Sequence, residues 1–283
     1  MEAKPFYRYY QDEKDDKVSQ KVFLKFLVIF FVVYFLLIIG SYLFYQKFSY
    51  ITISGRSMQS TLNPNPVEVF DENGRQELQD GVYIEHTQDV DYGDIVVLHS
   101  SKTNKEKTII KRVLAHEGDY VTIVKLKNKE GQQEFHVLRV KQELQTVEVL
   151  EEEYVHSYSQ WTNISNGTWE TVVDGISYEP SLYEVFKDYL FYQIKTFKVK
   201  QLGWKDVVFF QVPENCYFFL GDNRANSNDS RALGCLEYKT IEGKVVDIVR
   251  DGSDYKGNDF WWFNRVKGFF RVFWREILEF FGA

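Results

Sequence analysis

Three short segments of the sequence carry side chains that could act as a nucleophile and its base. They are SGRSMQSTL at 54–62, IIKRVLAHEGD at 109–119 and GDNRANSNDSR at 221–231. A serine becomes a nucleophile when a neighbouring base takes its proton, and the usual base is a histidine oriented by a carboxylate. None of the five histidines accompanies a G-x-S-x-G nucleophile elbow, because that motif does not occur in the chain. The sequence therefore makes a lysine the candidate base.

Lys111 is the best candidate, because it lies in an apolar run, TIIKRVLA at 108–115, that is typical of a strand. Side chains alternate between the two faces of a strand, so Lys111 shares a face with Ile109 and Val113. Burial lowers the pKa of a lysine from about 10.4, by as much as about 3–5 units when it is complete. A neutral amine could then accept a proton from a serine. The alternative is a lysine whose ammonium reaches water past its apolar neighbours.

Each segment has an ordinary structural interpretation when it is taken alone. A serine beside glycine, such as Ser57, commonly caps a turn, and a string of Asn, Asp and Ser is typical of a tight polar loop. Asp222 with Arg224, and Asp229 with Arg231, would then be surface or turn-stabilising pairs. The segments indicate a catalytic site only when all three are considered together.

An apolar segment before the first of these motifs predicts a membrane anchor. Residues 26–45 read FLVIFFVVYFLLIIGSYLFY, and a helix of this length spans about 30 Å, the thickness of the hydrocarbon core. No small-residue cleavage site follows, which indicates a retained anchor rather than a removed leader; a buried core helix is the alternative. Six basic residues precede the span and only Lys47 and Arg56 follow closely, which predicts a cytoplasmic N-terminus and an extracellular second part.

The rest of the chain is predicted to be mainly β, with an antiparallel, barrel-like or sandwich catalytic domain. Short apolar or alternating runs are separated by Gly-Asp turns, and no βαβ alternation is visible. Residues 127–205 are more polar and predict an inserted β-rich subdomain. The predicted domains are a cytoplasmic tail at 1–25, a transmembrane anchor at 26–46, a catalytic domain at 47–126 and 206–252, the insertion at 127–205, and an amphipathic aromatic segment at 253–283.

The segment 260–283, FWWFNRVKGFFRVFWREILEFFGA, predicts an amphipathic helix. Its apolar side chains recur at helical spacing, with basic residues on the other side. A helix of this kind could lie in a membrane interface. It could equally pack on its own domain or on a partner.

Composition excludes some classes of function. The formal net charge of −7 argues against a nucleic-acid-binding protein, which normally shows a basic face. Cys216 and Cys235 are the only cysteines, so neither a disulfide scaffold nor a zinc cluster is expected. The sequence leaves open whether these two residues pair.

The motifs together resemble bacterial type I signal peptidases, the serine/lysine-dyad leader peptidases. Members carry a membrane anchor and then, in order, boxes similar to S-G-x-S-M-x-P-T-L, G-D-I-V-V, K-R-V-x-G-x-P-G-D and G-D-N-R-x-N-S-x-D-S-R. The matching positions here are Ser57-Met58, Thr61-Leu62, 93–97 (GDIVV), Lys111-Arg112-Val113, Gly118-Asp119 and Gly221 through Arg231. The resemblance covers the anchor, roughly 54–120 and 207–250.

The resemblance implies a role for each matching residue. Ser57 is expected to be the nucleophile and Lys111 the general base, while Ser227 resembles the serine that orients the lysine amine. The backbone N–H of Ser57, with help from Gly55, is expected to bind the oxyanion. A last group should hold the shape of the site without reacting: Asp222, Arg224, Asp229 and Arg231. No cofactor and no metal is implied.

The resemblance further implies a membrane-bound serine endopeptidase. It would cleave Ala-x-Ala-type leader peptides from secreted precursor proteins at the cell membrane, with membrane lipid as its second partner and no nucleic acid. Four positions depart from the family pattern or are unusual in it: Arg56, Ser60, Ala115 and Glu117. Some pilus-associated relatives lack the dyad and act as non-catalytic assembly chaperones, which is the alternative function. Self-cleaving repressors also use a Ser/Lys dyad, but they need a DNA-binding domain where this chain has an apolar span.

Overall fold

The structure is a computed structural model that describes residues 5–63, 69–70, 76–77, 80–100, 107–127, 131–155, 170–183, 193–250 and 261–282. The chain divides into two compact units, Met1–Phe48 and Ser49–Ala283.

The first unit is formed by one long helix, α1, from Pro5 to Lys47. Its part from Ser19 to Lys47 contains an 18-residue stretch with a mean hydropathy of 3.0, and none of that stretch is buried inside the protein. A segment this long and apolar has the length and composition of a membrane-spanning helix. The prediction of an apolar helix that fits a single transmembrane segment is confirmed. Its orientation and its membrane stay predictions.

The second unit is built on antiparallel strands, as predicted. In chain order the strands are β1 (Phe48–Thr52), β2 (Val69–Phe70), β3 (Gln76–Glu77), β4 (Gly81–Glu85), β5 (Ile95–Ser100), β6 (Lys107–Ala115), β7 (Tyr120–Lys127), β8 (Gln133–Val140), β9 (Val147–Val149), β10 (Thr171–Val173), β11 (Ile176–Tyr178), β12 (Ile194–Val199), β13 (Lys205–Gln211), β14 (Cys216–Leu220), β15 (Leu236–Glu237) and β16 (Ile241–Val249). Helices of the unit within the described residues include α2 (Ser230–Leu233) and α3 (Trp261–Phe281).

The first sheet has seven strands in the order β1-β4-β16-β5-β6-β14-β15, and it carries the predicted motifs. β6 contains Lys111, which lies opposite Val96 of β5. β14 pairs with β6 from Arg112 onwards and leads directly into the 221–231 motif. Two of the three motifs thus begin on neighbouring strands.

The second sheet also has seven strands, and it joins the predicted insertion to the predicted catalytic domain. Its order is β10-β11-β7-β13-β12, with β8 paired to β7 and β9 paired to β8. Five of these strands, β8 to β12, come from residues 127–205, but they pair with β7 and β13, which flank that range. The insertion therefore shares a sheet with the strands on either side of it.

α3 packs on the first sheet against β4 and β16, so the prediction of an amphipathic helix is confirmed and one of its faces is covered by its own domain. Val272 is buried, and a Cβ on Gly268 would lie 2.8 Å from Val249 Cγ2, so a side chain at 268 would press into the sheet. The Arg271 guanidinium donates to Asp247 Oδ2 at 2.7 Å.

Candidate active site

The structure brings Ser57 and Lys111 into hydrogen-bonding contact. Lys111 Nζ lies 2.8 Å from Ser57 Oγ and also donates to the backbone oxygen of Ile110 at 2.8 Å. Only 3% of Lys111 is exposed, because its strand lies between β5 and the motif loops. The serine and the lysine, 54 positions apart in the chain, share one partly buried contact.

Ser57 is held at the start of a tight turn. The Gln59 N–H donates to the Arg56 oxygen at 3.0 Å, and the Leu62 N–H donates to the Met58 oxygen at 2.8 Å. Met58 and Leu62 are both buried and join a core cluster with β4 and β5. Two apolar side chains of the motif therefore fix the turn that presents the hydroxyl of Ser57.

The 221–231 loop approaches the backbone of Ser57 so closely that it needs a glycine. The Asn223 N–H donates to the Ser57 carbonyl oxygen at 3.0 Å. A Cβ on Gly221 would overlap both this oxygen and Ser227 Oγ. Glycine at 221 is therefore required by packing rather than by a special backbone angle.

An open cleft of about 400 Å³ adjoins the dyad. Its apolar walls come from β1, β5 and β6, and its lining is Ile51, Thr52, Ile53, Ser54, Gly55, Arg56, Ser57, Val97, Thr108, Ile109, Ile110, Lys111, Asn226, Asn228 and Leu233. Because β14 pairs with β6 only from Arg112 onwards among the described residues, the edge of β6 at 108–111 faces this cleft. An extended chain could align with that edge.

Gly55 also lines the cleft, two residues before Ser57, and its φ of 102° is one that other residues rarely adopt. Its predicted help in binding an oxyanion stays a prediction.

Ser227 lies beside the site, but the structure gives it no hydrogen bond to the lysine. Its Oγ is buried and has no partner with hydrogen-bond geometry in the described part of the chain. The hydroxyl does lie close enough to Asp229 to contribute to the low pKa of that carboxyl. Its predicted role in orienting Lys111 stays a prediction.

Asp229 and Arg231 form a buried ion pair below the Gly221 loop. Arg231 Nε and Nη2 donate to the two Asp229 oxygens at 2.8 and 2.9 Å, and the Gly221 N–H donates to the same carboxylate at 3.0 Å. Burial alone would raise the pKa of Asp229, but the Arg231 charge and hydrogen bonds lower it. Burial in turn raises the pKa of the nearby Glu179 carboxyl, against the opposing charge of Arg231.

Asp222 pairs with Arg112 of β6. Arg112 Nε and Nη2 donate to its oxygens at 2.9 and 2.6 Å, and Nη1 reaches the Gly93 oxygen at 2.8 Å. The Thr61 hydroxyl donates to the same carboxylate. One buried carboxylate thus joins all three predicted motifs and the Gly93 turn.

Arg224 pairs with Glu152 of the predicted insertion, and the two side chains are almost fully buried. Arg224 Nη1 donates to Glu152 Oε2 at 3.0 Å, Nη2 donates to the other oxygen, and Nε donates to the Gly221 oxygen at 3.0 Å. The Tyr154 hydroxyl donates to Glu152 at 2.7 Å, and its ring lies 4.0 Å from the Arg112 guanidinium. All four predicted supporting residues are therefore buried, unlike surface pairs.

Sequence reasoning missed Glu152, Tyr154 and Glu179, because all three lie in the range treated as an insertion. Charge counting gives no signal either, because the three motifs contain four arginines and four carboxylates. In the structure the motifs supply Asp222 to Arg112 and Asp229 to Arg231. The carboxylate that pairs with Arg224 comes from outside the motifs.

The departures from the family pattern have local structural settings. Ser60 has a φ of 97°, an angle that the ring of a proline excludes, and its hydroxyl donates to the Tyr154 oxygen. Ala115 is buried in the core between the sheets. The Glu117 carboxylate accepts the Asn215 N–H at 2.6 Å. In this chain the substituted positions make contacts of their own.

Among the described residues, no group of three or more His, Cys, Asp or Glu side chains is arranged to hold a metal ion. A serine hydroxyl against a buried lysine, beside an open cleft on an antiparallel scaffold, defines the class of the site. It is a candidate Ser/Lys nucleophilic dyad.

Comparison with known proteins places the chain in a family. The model of the family described as "Signal peptidase, peptidase S26" matches residues 23–249, most of the chain, so the chain belongs to this family. Signal peptidase I of Aquifex aeolicus (strain VF5) is 50% identical over 44 residues, which are 16% of this chain and 17% of the relative. Signal peptidase I of Buchnera aphidicola subsp. Baizongia pistaciae (strain Bp) is 46% identical over 61 residues, 18% of this chain and 20% of the relative. The chain thus spans about a fifth of the length of these curated relatives.

A solved signal peptidase I from Enterococcus faecalis V583 is 19% identical, with a TM-score of 0.29. The match covers 56% of this chain and 97% of that one.

Proposed function

We propose that this chain is a membrane-bound serine endopeptidase that cleaves N-terminal leader peptides from exported precursor proteins with Ser57 and Lys111. The observation that carries the proposal is the 2.8 Å contact between Lys111 Nζ and Ser57 Oγ at the edge of an open cleft. Membership of the signal peptidase family supports the same reaction class.

The reaction begins with an uncharged Lys111. Burial disfavours the ammonium form, which is the direction that a general base needs. The neutral amine accepts the Ser57 proton as Oγ attacks the scissile carbonyl carbon, and the new ammonium donates that proton to the departing amine. Water, deprotonated by the same amine, then hydrolyses the acyl-enzyme and releases Ser57.

The oxyanion formed in each addition step needs a donor at the turn. The Ser57 N–H is the proposed donor, with help from Gly55, which lies two residues before it. Loss of one donor of this kind lowers the rate by roughly 10²–10³-fold in other enzymes.

The substrate is proposed to bind extended along the edge of β6 at 108–111, with backbone hydrogen bonds between the two chains. Small side chains such as alanine, at the first and third positions before the cut, would fit against an apolar wall that includes Ile51, Ile53 and Val97. The α1 segment would anchor the enzyme with its N-terminus in the cytoplasm and the second unit outside.

Cleavage of a synthetic Ala-x-Ala leader peptide by the detergent-solubilised full chain tests the proposal. We expect Ser57→Ala and Lys111→Ala to lose cleavage, while Lys239→Ala, a change at an exposed lysine, keeps it. The mass of the products should place the cut directly after the second alanine. Uncleaved peptide with the wild-type protein, or full activity of Lys111→Ala, would refute the dyad. An assembly chaperone would keep its function in both dyad variants.

A further inference from the structure

α3 has a second apolar face that points away from the sheet. At every fourth position from Val266 to Leu278 a large apolar side chain is exposed. One more exposed apolar side chain follows about one turn later. This outer stripe consists of Val266, Phe270, Trp274, Leu278 and Phe281. Phe270 is 58% exposed and Trp274 is 60% exposed. Residues four apart lie on one face of a helix, so the five form one continuous surface.

The covered face of α3 lies on the opposite side of the helix. Val272 is buried against the sheet, and the Tyr83 hydroxyl donates to the Arg265 oxygen at 3.1 Å. By helical periodicity both positions fall about half a turn from the centre of the outer stripe. The sheet therefore fixes the rotation of the helix, and the stripe faces outward because of that docking.

The charges around the stripe are arranged unequally. Lys267 and Arg271 each follow a stripe residue and flank it on one side, whereas the two acidic residues, Glu276 and Glu279, fall on the sheet-facing half of the helix. Between residues 261 and 282 the chain carries four basic and two acidic side chains, although its overall net charge is −7. The apolar surface is bordered by the basic side chains of Lys267 and Arg271, and Arg271 is ion-paired with Asp247 of β16.

Chain connectivity links this unit to the proposed membrane anchor. α1 ends at Lys47 and β1 begins at Phe48, so the two elements are consecutive in the chain. An apolar stripe rich in aromatic rings and bordered by basic side chains has the composition of a helix that lies in a lipid interface.

We propose that the outer stripe of α3 inserts into the interface of an anionic lipid bilayer and gives the second unit a second attachment to the membrane. The inference rests on the proposed function in one respect, namely that α1 is a membrane anchor. α3 lies outside the residues matched by the family model, 23–249, so the attachment would be an addition to the shared scaffold.

Spin labels on the full chain test this directly. Single cysteines would replace Phe270, Gln88 on the exposed polar surface, and Leu36 within α1, in a background with Cys216→Ser and Cys235→Ala. The protein would be reconstituted in vesicles of phosphatidylcholine with and without phosphatidylglycerol. Accessibility would be measured to molecular oxygen, which partitions into lipid, and to a water-soluble nickel chelate.

We expect the label at Phe270→Cys to gain oxygen access and lose nickel access in the phosphatidylglycerol vesicles, as the Leu36→Cys label does in both. The Gln88→Cys label should stay accessible to nickel. If the label at 270 stays accessible to the nickel chelate while the label at 36 is accessible only to oxygen, the inference is overturned but the proposed anchor is supported. Spin–spin broadening at 270 that grows with the protein-to-lipid ratio would assign the stripe to a second copy of the chain. Water-like access at 36 would overturn both the anchor and the inference.

Discussion

The site contains two kinds of buried cation, and the structure treats them differently. Arg112, Arg224 and Arg231 each donate to a carboxylate, with Asp222, Glu152 and Asp229 as their partners. Lys111 instead donates to two neutral oxygens, the Ser57 hydroxyl and the Ile110 carbonyl. These groups lie close together, because Lys111 and Arg112 are neighbours on β6.

This difference distinguishes the arginines, which stabilise the loops, from the lysine, which is the proposed general base. A guanidinium cannot lose its proton in a protein, and a carboxylate beside it holds both charges in place. Burial would lower the pKa of Arg231, but the Asp229 carboxylate raises it. Lys111 contacts the hydroxyl of Ser57, which is the proposed nucleophile. In the proposed mechanism the arginines hold the loops and Lys111 transfers the proton.

The strongest test of this comparison exchanges the two kinds of cation. Lys111→Arg keeps the positive charge but removes the ability to become neutral. We expect leader-peptide cleavage to fall by roughly 10²–10⁴-fold, the usual contribution of a general base. Steady-state cleavage of an Ala-x-Ala peptide by the detergent-solubilised chain measures the effect.

Arg112→Lys is the matched exchange in the opposite direction. It keeps a charge opposite Asp222 and should reduce cleavage far less than Lys111→Arg does. Retained activity in Lys111→Arg would mean that a cation suffices at position 111, and the role of Lys111 as base would fail.

A second test removes charge from the supporting layer. Glu152→Gln leaves the Arg224 guanidinium buried without its anionic partner, which typically destabilises a protein by about 3–5 kcal/mol. The exposed neighbour Glu153→Gln is the control and should leave stability nearly unchanged. Urea unfolding followed by fluorescence gives the two free energies. A loss below about 1 kcal/mol in Glu152→Gln would show that the pair does not hold the loop.

The contrast also explains how much of the site could be predicted from the sequence. Ser57, Lys111 and the 221–231 loop were predicted as neighbours from the resemblance, and the structure places them in contact. Glu152 could not be assigned, because a single glutamate in a polar stretch carries no periodic or motif signal. The contact of Glu152 with Arg224 depends on the pairing of β7 with β8 and of β8 with β9, and these are long-range features.

The fold shows the same limit. The apolar run predicted as a strand at 108–115 lies within β6, Lys107–Ala115, because apolar alternation marks a half-buried strand well. The strands β10 and β11 and the edge strand β12 were not predicted, since they are short or polar. The link between β7 and β13 within one sheet depends on register, which one sequence does not reveal.

Substitution of Ser227 is a test with a smaller expected effect. This serine lies beside both the supporting Asp229 carboxylate and the proposed dyad. Its hydroxyl is buried without a hydrogen bond among the described residues, so Ser227→Ala should leave the free energy of unfolding nearly unchanged. We expect cleavage to fall by about tenfold, since hydrogen bonds to a catalytic group often form only in the substrate complex. The kcat value should carry the loss. Unchanged kcat would leave Ser227 with no part in orienting the amine.

The smallest expected effect concerns His116, a half-buried base outside the candidate site whose pKa is lowered. Its Nε2 has no hydrogen-bond partner in the described chain, and its ring stacks on Tyr92 at 4.0 Å. Burial lowers the pKa of His116 below its usual value, against the raising effect of the nearby Asp119 and Asp91 carboxylates and with a further lowering by the neighbouring cations, Arg139 and Lys141.

The lowered pKa fixes the sign of the pH dependence. Below about pH 6.5 the unfolded chain binds this proton more readily than the folded chain, so the stabilisation is complete above that pH and is lost as the pH falls through the lowered pKa. His116→Phe keeps a ring against Tyr92 and removes the titration. We expect a smaller drop in Tm between pH 7.5 and 5.5 than in the wild type, with part of the drop remaining because burial also lowers the pKa of His136. The exposed His86→Phe is the control. If the drop in Tm between pH 7.5 and 5.5 becomes as small in His86→Phe as in His116→Phe, burial does not distinguish the two histidines. The argument that the surroundings of a base set its protonation then loses its support.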